Sequence, residues 1–390
     1  MRRVALGEVV DLRAGIGFPP ALQGRKSGEY PFAKVGDISR HGRNGALYID
    51  TADNFVNDAD LAALKSKPIP PGSTLFAKIG EAIRQNHRVI VARPMLVDNN
   101  AMAATPTSQV DSGYLFRFLQ SVDLYRYATS TTVPSLRKSD LERIELPLPP
   151  LYEQRRIAAI LDQADALRVK RREMIAQLDE LARSIFLEMF GDLRPSITLG
   201  ECADIQGGLQ VTSKRQGLPL ALPYLRVANV YRGRLELTQV KSINVTESEA
   251  ARTRLERDDL LFVEGHANPD EVGRVAVWDG SIVSCLHQNH LIRVRLHDGV
   301  LLPQFAESWF NSRLGACHFR RAGKTTSGLN TISANVVRSA PIPAPSLSQQ
   351  RSFNGRVERI RSEVRVCRKS LSALDALFAS LQSRAFRGEL

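Results

Sequence analysis

The sequence has few residues that could cross-link it or hold a metal. Its 390 residues include four cysteines, and no two of them form a C-x-x-C pair. Such dispersed cysteines predict free thiols rather than a disulfide framework or a cysteine zinc cage. They are Cys202, Cys285, Cys317 and Cys367.

Long apolar runs are also missing. No stretch reaches the roughly 18 apolar residues that a membrane helix needs. The N-terminal segment MRRVALGEVVDLRAG lacks the apolar stretch of a secretory signal. Apolar residues make up 43% and charged residues 24% of the chain, which is typical of a folded globular protein. We therefore expect a cytoplasmic protein with no membrane partner.

The sequence contains no recognisable catalytic motif. Gly323-Lys324-Thr325 is similar to the end of a phosphate-binding loop, but His318 stands where that loop needs glycine. Gly15-Ile16-Gly17 does not continue as a dinucleotide fingerprint, and no Asn-Pro-Pro-aromatic tetrapeptide of amino-methyltransferases occurs. Cys285, His287 and His290 lack a second pair of ligands, so we interpret the histidines as surface or groove polar residues. The prediction is a chain without an active site or a cofactor of its own.

The charge balance points to an anionic partner. Lysine and arginine number 53 against 41 acidic residues, which gives a net charge of +12 and a pI near 9.8. Nucleic acid is the first candidate. An acidic protein or a membrane surface also fits, because net charge alone is not specific.

An internal repeat with an offset of roughly 190 residues organises the chain. The matches share one order and a nearly constant offset: 4–8 with 197–201, 31–35 with 223–227, 88–91 with 274–277, 131–132 with 325–326, 147–149 with 341–343, and 154–155 with 350–351. The first part of each unit, 1–146 and 196–340, is rich in glycine, proline and short apolar alternations. We expect each of these regions, called here the first head and the second head, to be a mixed α/β (α+β) globule.

A long helix is predicted after each head, within 147–195 and 341–390. Proline-rich hinges precede about 40 residues without proline, whose apolar positions alternate by three and four as in a coiled-coil seam. Arg171 interrupts the first seam. A stripe this narrow on a long helix is buried only by packing against another long helix. We therefore expect the two long helices to form an intramolecular antiparallel coiled coil with pseudo-twofold repeat symmetry. The two seams comprise Ile157, Ile160, Ala164, Leu167, Met174, Leu178, Leu181 and Ile185, and Phe353, Val357, Ile360, Val364, Cys367, Leu371, Leu374, Phe378 and Leu381.

Basic and amide side chains near glycine-rich connections are the candidate DNA-binding residues. Arginine pairs with guanine, asparagine and glutamine with adenine, and lysine and arginine also hold phosphates. Arg88 and Arg274 occupy matched positions and are predicted phosphate contacts. Lys78 and Glu264 occupy matched positions but have different side chains. This difference is expected if the two heads read different bases, and equally if the position lies in a surface loop whose sequence has changed without consequence. The full set is Lys34, Arg40, Arg43, Lys78, Arg84, Gln85, Asn86 and Arg88 in the first head, and Lys214, Arg226, Arg232, Asn268, Arg274 and Lys324 in the second.

The hinge and helix residues resemble one known family. The run LPPLYEQRRI at 148–157, LDEL at 178–181 and FGD at 190–192 closely resembles the central region of specificity subunits of Type I restriction-modification systems. The order of target-recognition domain and long helix, repeated once, covers essentially the whole chain. The second helix departs from the pattern at 346–350 and at Gly355, which would loosen its start.

The resemblance implies a non-catalytic subunit that reads a bipartite, asymmetric sequence in double-stranded DNA. It further implies two modification subunits that use S-adenosylmethionine, and restriction subunits that use ATP and Mg²⁺. In such an assembly the long helices dock the modification subunits. Two alternatives stay open: a specificity module of a stand-alone methyltransferase without nuclease partners, and a scaffold whose coiled coil and heads bind acidic proteins.

Overall fold

The computed structural model of the chain describes residues 2–129, 132–326 and 328–390, with the side chains of 324–326 outside the described part. The first head contains strands β1 (Arg3–Ala5), β2 (Val10–Ala14), β3 (Tyr30–Ala33), β4 (Tyr48–Ile49), β5 (Phe55–Val56), β6 (Thr74–Ala77), β7 (Arg88–Val91), β8 (Leu96–Val97), β9 (Ala101–Pro106), β10 (Ala128–Thr129), β11 (Ser135–Leu136) and β12 (Glu145–Pro147). Its helices are α1 (Leu6–Val9), α2 (Val35–Arg43), α3 (Asp58–Leu64), α4 (Ser112–Ser121) and α5 (Lys138–Glu142), and α6 (Leu151–Phe190) follows them.

The second head begins with strands β13 (Ile197–Thr198), β14 (Ala203–Gly207), β15 (Leu220–Leu225), β16 (Val230–Tyr231), β17 (Arg234–Leu235), β18 (Lys241–Val245) and β19 (Leu260–Val263). It continues with β20 (Gly265–His266), β21 (Val275–Val277), β22 (Leu286–His287), β23 (Leu291–Leu296), β24 (Lys324–Thr326), β25 (Leu329–Thr331) and β26 (Pro341–Ile342). Its helices are α7 (Glu247–Thr253), α8 (Pro303–Asn311), α9 (Arg313–Ala322) and α10 (Ala334–Arg338), and α11 (Leu347–Arg387) follows them.

The two heads have the same construction, which confirms the repeat. A five-stranded sheet of order β2-β9-β6-β7-β4 forms the centre of the first head, and a four-stranded sheet of order β14-β23-β19-β21 forms that of the second. Each head adds a three-stranded sheet with one antiparallel and one parallel pairing, β5-β3-β8 and β18-β15-β22. The predicted mixed α/β class is confirmed.

Buried apolar strands and one helix stripe form the core of each head. All four residues of β6 are buried, and so are all four of β19, as the near-continuous apolar runs require. On α4 the apolar side chains of Tyr114, Leu115, Phe118 and Leu119, which share one helical face, are buried, and α8 buries Phe305, Trp309 and Phe310.

The two predicted long helices are present, with 40 residues in α6 and 41 in α11. Gly355 does not interrupt α11, so the expected loosening of its start is wrong. The chain divides into two compact units, Met1–Met174 with Cys367–Leu390, and Ile175–Val366. Each unit thus contains one head and part of both helices.

In the first unit the helices run antiparallel, as predicted. The guanidinium of Arg168 lies 2.7 Å from the Asp375 carboxylate, whereas Met174 Sδ lies 3.5 Å from Cys367 Sγ, so residue numbers rise along one helix and fall along the other. Arg171, the break in the seam, contacts Cys367 Sγ at 3.5 Å. Leu167 and Met174 remain about half exposed, at 53% and 44%, so the seam is narrower than the sequence pattern indicates.

In the second unit aromatic side chains join α6 and α11 to the head. The Phe353 ring of α11 packs edge-on against Phe186 and Phe190 of α6, with ring centroids 5.5 Å apart in both pairs. Phe190 also packs against Phe305 of α8 at 4.9 Å. Burying such large side chains stabilises the junction by about 2 kcal/mol or more each.

Candidate nucleic-acid interface

In the first head several candidate residues lie on the turn between β6 and β7. Lys78 follows β6 directly, and Gly80, with a φ of 82°, turns the chain into a short 3₁₀ helix over Glu81–Ile83. Asn86 has a φ of 54°, which places it in the left-handed region just before β7. Such positive φ values are tolerated best by glycine and asparagine. The local sequence therefore specifies a tight, polar turn at the end of a buried hairpin.

Four of the predicted residues have side chains without a hydrogen bond or ion pair to any described residue. They are Arg43, Lys78 and Gln85 in the first head and Lys214 in the second. Arg43, Gln85 and Lys214 are exposed, and Lys78 is partly buried. The three cations of this set can bind phosphate or the acceptor atoms of bases, and the amide of Gln85 can bind base edges.

Arg40 and Arg84 are exposed but already paired. Arg40 contacts the carboxylates of Asp37 and Asp53, the latter at 2.9 Å, and these hydrogen bonds raise the arginine's pKa. Arg84 lies 3.1 Å from Glu81 and stacks on the Tyr125 ring at 3.9 Å. A phosphate would have to displace these partners.

Lys34 and Arg226 have the matched positions that the repeat predicts. The backbone N–H of Lys34 donates to the Asp37 carboxylate at 2.8 Å, and that of Arg226 donates to the Asn229 side chain at 2.9 Å. The Lys34 ammonium contacts Gln23 at 3.1 Å, whereas the Arg226 guanidinium donates to the Gln239 carbonyl at 3.4 Å. Both side chains are partly buried.

Of the remaining candidates of the second head, Arg232 and Asn268 make contacts within the head. Arg232 donates to the Asp270 carbonyl at 2.6 Å, and burial lowers the pKa of its guanidinium. The Asn268 side chain is exposed and accepts a hydrogen bond from Asp270 N at 3.0 Å, which caps a short 3₁₀ turn. Lys324 begins β24, and its side chain lies outside the described residues.

Arg88 and Arg274, the predicted phosphate contacts, are both buried, with exposures of 4% and 6%. Arg274 donates to the carbonyls of Val230 and Val227 and lies 3.0 Å from the Glu271 carboxylate. Arg88 donates to the His87 carbonyl and to the Asn86 side chain, and burial lowers its pKa to about 9. Each guanidinium is thus engaged inside its head, and a phosphate contact would need the side chain to leave its buried position.

His287 is not the surface or groove residue that the sequence predicts. It is completely buried, with its ring nitrogens 3.0 and 3.3 Å from the carbonyls of Thr253 and Gln206. Burial lowers its pKa to about 4, so the imidazole is neutral at pH 7. His290, in contrast, is exposed and lies 3.3 Å from the Glu264 carboxylate.

Sequence reasoning missed a basic groove in the first head. Lys78, Arg137 and Lys138 line it together with Ser135, and its volume is about 400 Å³. Arg137 is exposed and has no side-chain partner among the described residues, whereas Lys138 lies 3.6 Å from Glu142. The signal was the position of Arg137 and Lys138, a few residues after the Thr131-Thr132 pair that the repeat matches with 325–326.

Every helix in the described part of the chain is too short or too polar to traverse a bilayer. No three His, Cys, Asp or Glu side chains of these residues come together as metal ligands could.

The comparisons with known proteins agree with this architecture. Residues 1–179 match the family described as Type I restriction modification DNA specificity domain. The chain is 27% identical over 319 residues to the Type I restriction enzyme EcoKI specificity subunit of Escherichia coli K12, a match that spans 73% of this chain and 67% of that subunit. It is 27% identical over 316 residues to the StySPI specificity subunit of Salmonella potsdam, across 74% of this chain and 67% of that one.

Two solved structures share the fold. The S subunit of a Type I restriction-modification system from M. genitalium superposes with a TM-score of 0.54 at 15% identity, covering 99% of this chain and 96% of its own. A chain from a study of complex assembly and conformational transition of the Type I system gives 0.54 at 18% identity, covering 100% and 98%. By sequence and fold the chain is similar to the Type I restriction-modification specificity subunits, and its residues 1–179 match the model of their DNA specificity domain.

Proposed function

We propose that this chain is the DNA-recognition subunit of a Type I restriction-modification complex. Each head binds one half of a bipartite, asymmetric target in double-stranded DNA. The chain performs no chemistry itself and determines where its partner subunits act.

One observation carries the proposal: the heads share a fold but carry different polar side chains at matched positions. Lys78 and Glu264 both follow the central strand of their head, and Asn100 and His290 both precede β9 or β23. Two copies of one scaffold with different surface chemistry suit a target whose halves differ in sequence. A net charge of +12 supports a polyanionic ligand.

The long helices are the proposed docking site for two modification subunits. Exposed apolar side chains lie on them, among them Tyr152 with 73% exposure and Val366 with 60%. In the proposed complex S-adenosylmethionine binds the modification subunits, and ATP and Mg²⁺ bind the restriction subunits. The proposed place of action is the cytoplasm, where the chromosome lies.

Reconstitution tests this function. The purified chain should neither methylate nor cleave DNA, whereas the chain with modification subunits should methylate one defined bipartite sequence. Mapping of methylated adenines in the source genome, with and without the gene, should show loss of the same sequence. Measurable S-adenosylmethionine binding by the chain alone would contradict the proposal.

The same experiment separates the two alternatives. Methylation without any associated nuclease would favour a stand-alone methyltransferase module. Retained protein binding without sequence-directed methylation or DNA binding would favour a scaffold for acidic proteins.

A further inference from the structure

Lys78 and Glu264 occupy the same structural position in the two heads. The backbone N–H of Lys78 donates to the Asn100 carbonyl at 2.7 Å, and that of Glu264 donates to the His290 carbonyl at 3.0 Å. The Lys78 carbonyl accepts from Leu136 N, and the Glu264 carbonyl from Ile332 N, both at 2.9 Å. This shared pattern of backbone bonds makes the two residues structural equivalents with side chains of opposite charge.

The surroundings of Lys78 favour an acceptor-bearing ligand. Its side chain is partly buried, and its ammonium has no hydrogen bond or ion pair to a described residue. Arg137, also without a side-chain partner among the described residues, lines the same groove of about 400 Å³. Two cations at one groove without counter-charges favour a ligand that supplies lone pairs.

The surroundings of Glu264 favour a donor-bearing ligand. Its side chain is 29% exposed, and the one described side chain that it contacts is His290, 3.3 Å from Oε2. Burial raises the pKa of this carboxyl, which indicates that the carboxylate is incompletely solvated. A carboxylate at this place would repel a phosphate but accept a hydrogen bond from an amino group.

We propose that this shared position reads a base in each half of the target, with Lys78 donating to guanine and Glu264 accepting from the amino group of cytosine. The inference rests on the proposed function and deepens it. In the major groove guanine offers the O6 and N7 acceptors, which lysine contacts, and cytosine offers the N4 amino donor, which Glu contacts. Because the backbone hydrogen bonds match, the two residues hold equivalent places in their heads, and a base edge is a ligand that can offer acceptors to Lys78 and a donor to Glu264.

A binding selection with exchanged side chains tests the assignment. The full chain, assembled with modification subunits, selects duplexes from a library randomised across both half-sites, and the bound pool is sequenced. We expect Lys78→Gln to convert a guanine preference to adenine at one position of one half. Glu264→Gln should convert a cytosine preference to adenine at one position of the other half, since glutamine pairs with adenine. Each preference should change about tenfold or more.

Matched controls are available on each head. Lys67→Gln and Glu247→Gln remove the same charges from exposed side chains that form no hydrogen bond or ion pair with a described residue, and they should leave the selected sequence unchanged. Thermal unfolding confirms that every variant is folded.

The outcomes are distinct. Uniform weakening on all duplexes by Lys78→Gln, with a smaller salt dependence, would assign Lys78 to a phosphate and overturn the inference. An unchanged selected sequence in both folded variants would overturn it as well. Absence of any preferred sequence for the unaltered complex would instead refute the proposed function.

Discussion

Gln154 and Gln350 form the same set of hydrogen bonds at the starts of α6 and α11. Each side-chain oxygen accepts from a backbone N–H at the cap of a helix in the head, Asp111 N at 2.8 Å and Leu302 N at 2.7 Å. Each amide nitrogen donates to a hinge carbonyl, Pro149 O at 2.9 Å and Pro345 O at 2.8 Å. Both side chains are buried, so they fix the junction between head and long helix.

Replacing either glutamine with leucine should destabilise the unit that contains it. The change leaves buried backbone groups without partners, at a cost of about 1–3 kcal/mol in the free energy of unfolding for each group. Denaturant unfolding of Gln154→Leu and Gln350→Leu measures this loss. Gln163→Leu, at an exposed position of α6, is the matched control and should change stability little. Equal stabilities of Gln154→Leu and the control would show that the bonds do not hold the junction.

These glutamines show what the sequence could and could not predict. The repeat matches Gln154 with Gln350, and the seam spacing predicts both long helices, because local patterns determine helices. The burial of Arg88 and Arg274 was not predictable, since the groups that cover them come from distant segments, such as Val227 and Val230 around Arg274. The different environments of Lys78 and Glu264 could not be predicted either, because they depend on the contacts that their loops make in the folded chain.

A buried arginine links the first head to α6. Arg117 is 2% exposed and lies 2.7 Å from Asp162 and 2.9 Å from Asp165. Replacing both aspartates with asparagine should cost about 3–5 kcal/mol, because a buried guanidinium then lacks its counter-charges. Arg117→Met should cost less, because the partly exposed aspartates can be hydrated. Equilibrium unfolding measures both, and Glu180→Gln, which breaks the exposed pair with Arg183, should have little effect. The reverse order of the two losses would contradict this account.

His287 should make the stability of the second unit depend on pH. Its pKa is about 4 in the folded chain, against an ordinary value of about 6.5 in the unfolded chain. Between these values the unfolded state binds more protons, so stability rises with pH across the window and is lost as pH falls. The loss should reach about 3 kcal/mol near pH 4.

The difference in unfolding free energy between the unaltered chain and His287→Phe, measured from pH 7 to 4.5, isolates this contribution. A constant difference between the unaltered chain and His287→Phe over this range would show that His287 titrates normally.

The salt dependence of DNA binding should distinguish exposed from buried arginines. Arg43 is exposed and has no hydrogen bond or ion pair to a described residue, whereas Arg274 is buried against carbonyls and Glu271. If Arg43 contacts a phosphate, Arg43→Ala should lower the slope of log K against log salt by about one unit, because one fewer counterion is released. Lys214→Ala should act likewise in the second head.

Arg274→Met removes the same charge but should leave the slope unchanged while it lowers the free energy of unfolding. The measurement is a titration of the assembled complex on its target at several salt concentrations, corrected for the folded fraction. A smaller slope for folded Arg274→Met would show that Arg274 does contact a phosphate. An unchanged slope for Arg43→Ala would show that Arg43 does not contact the DNA backbone.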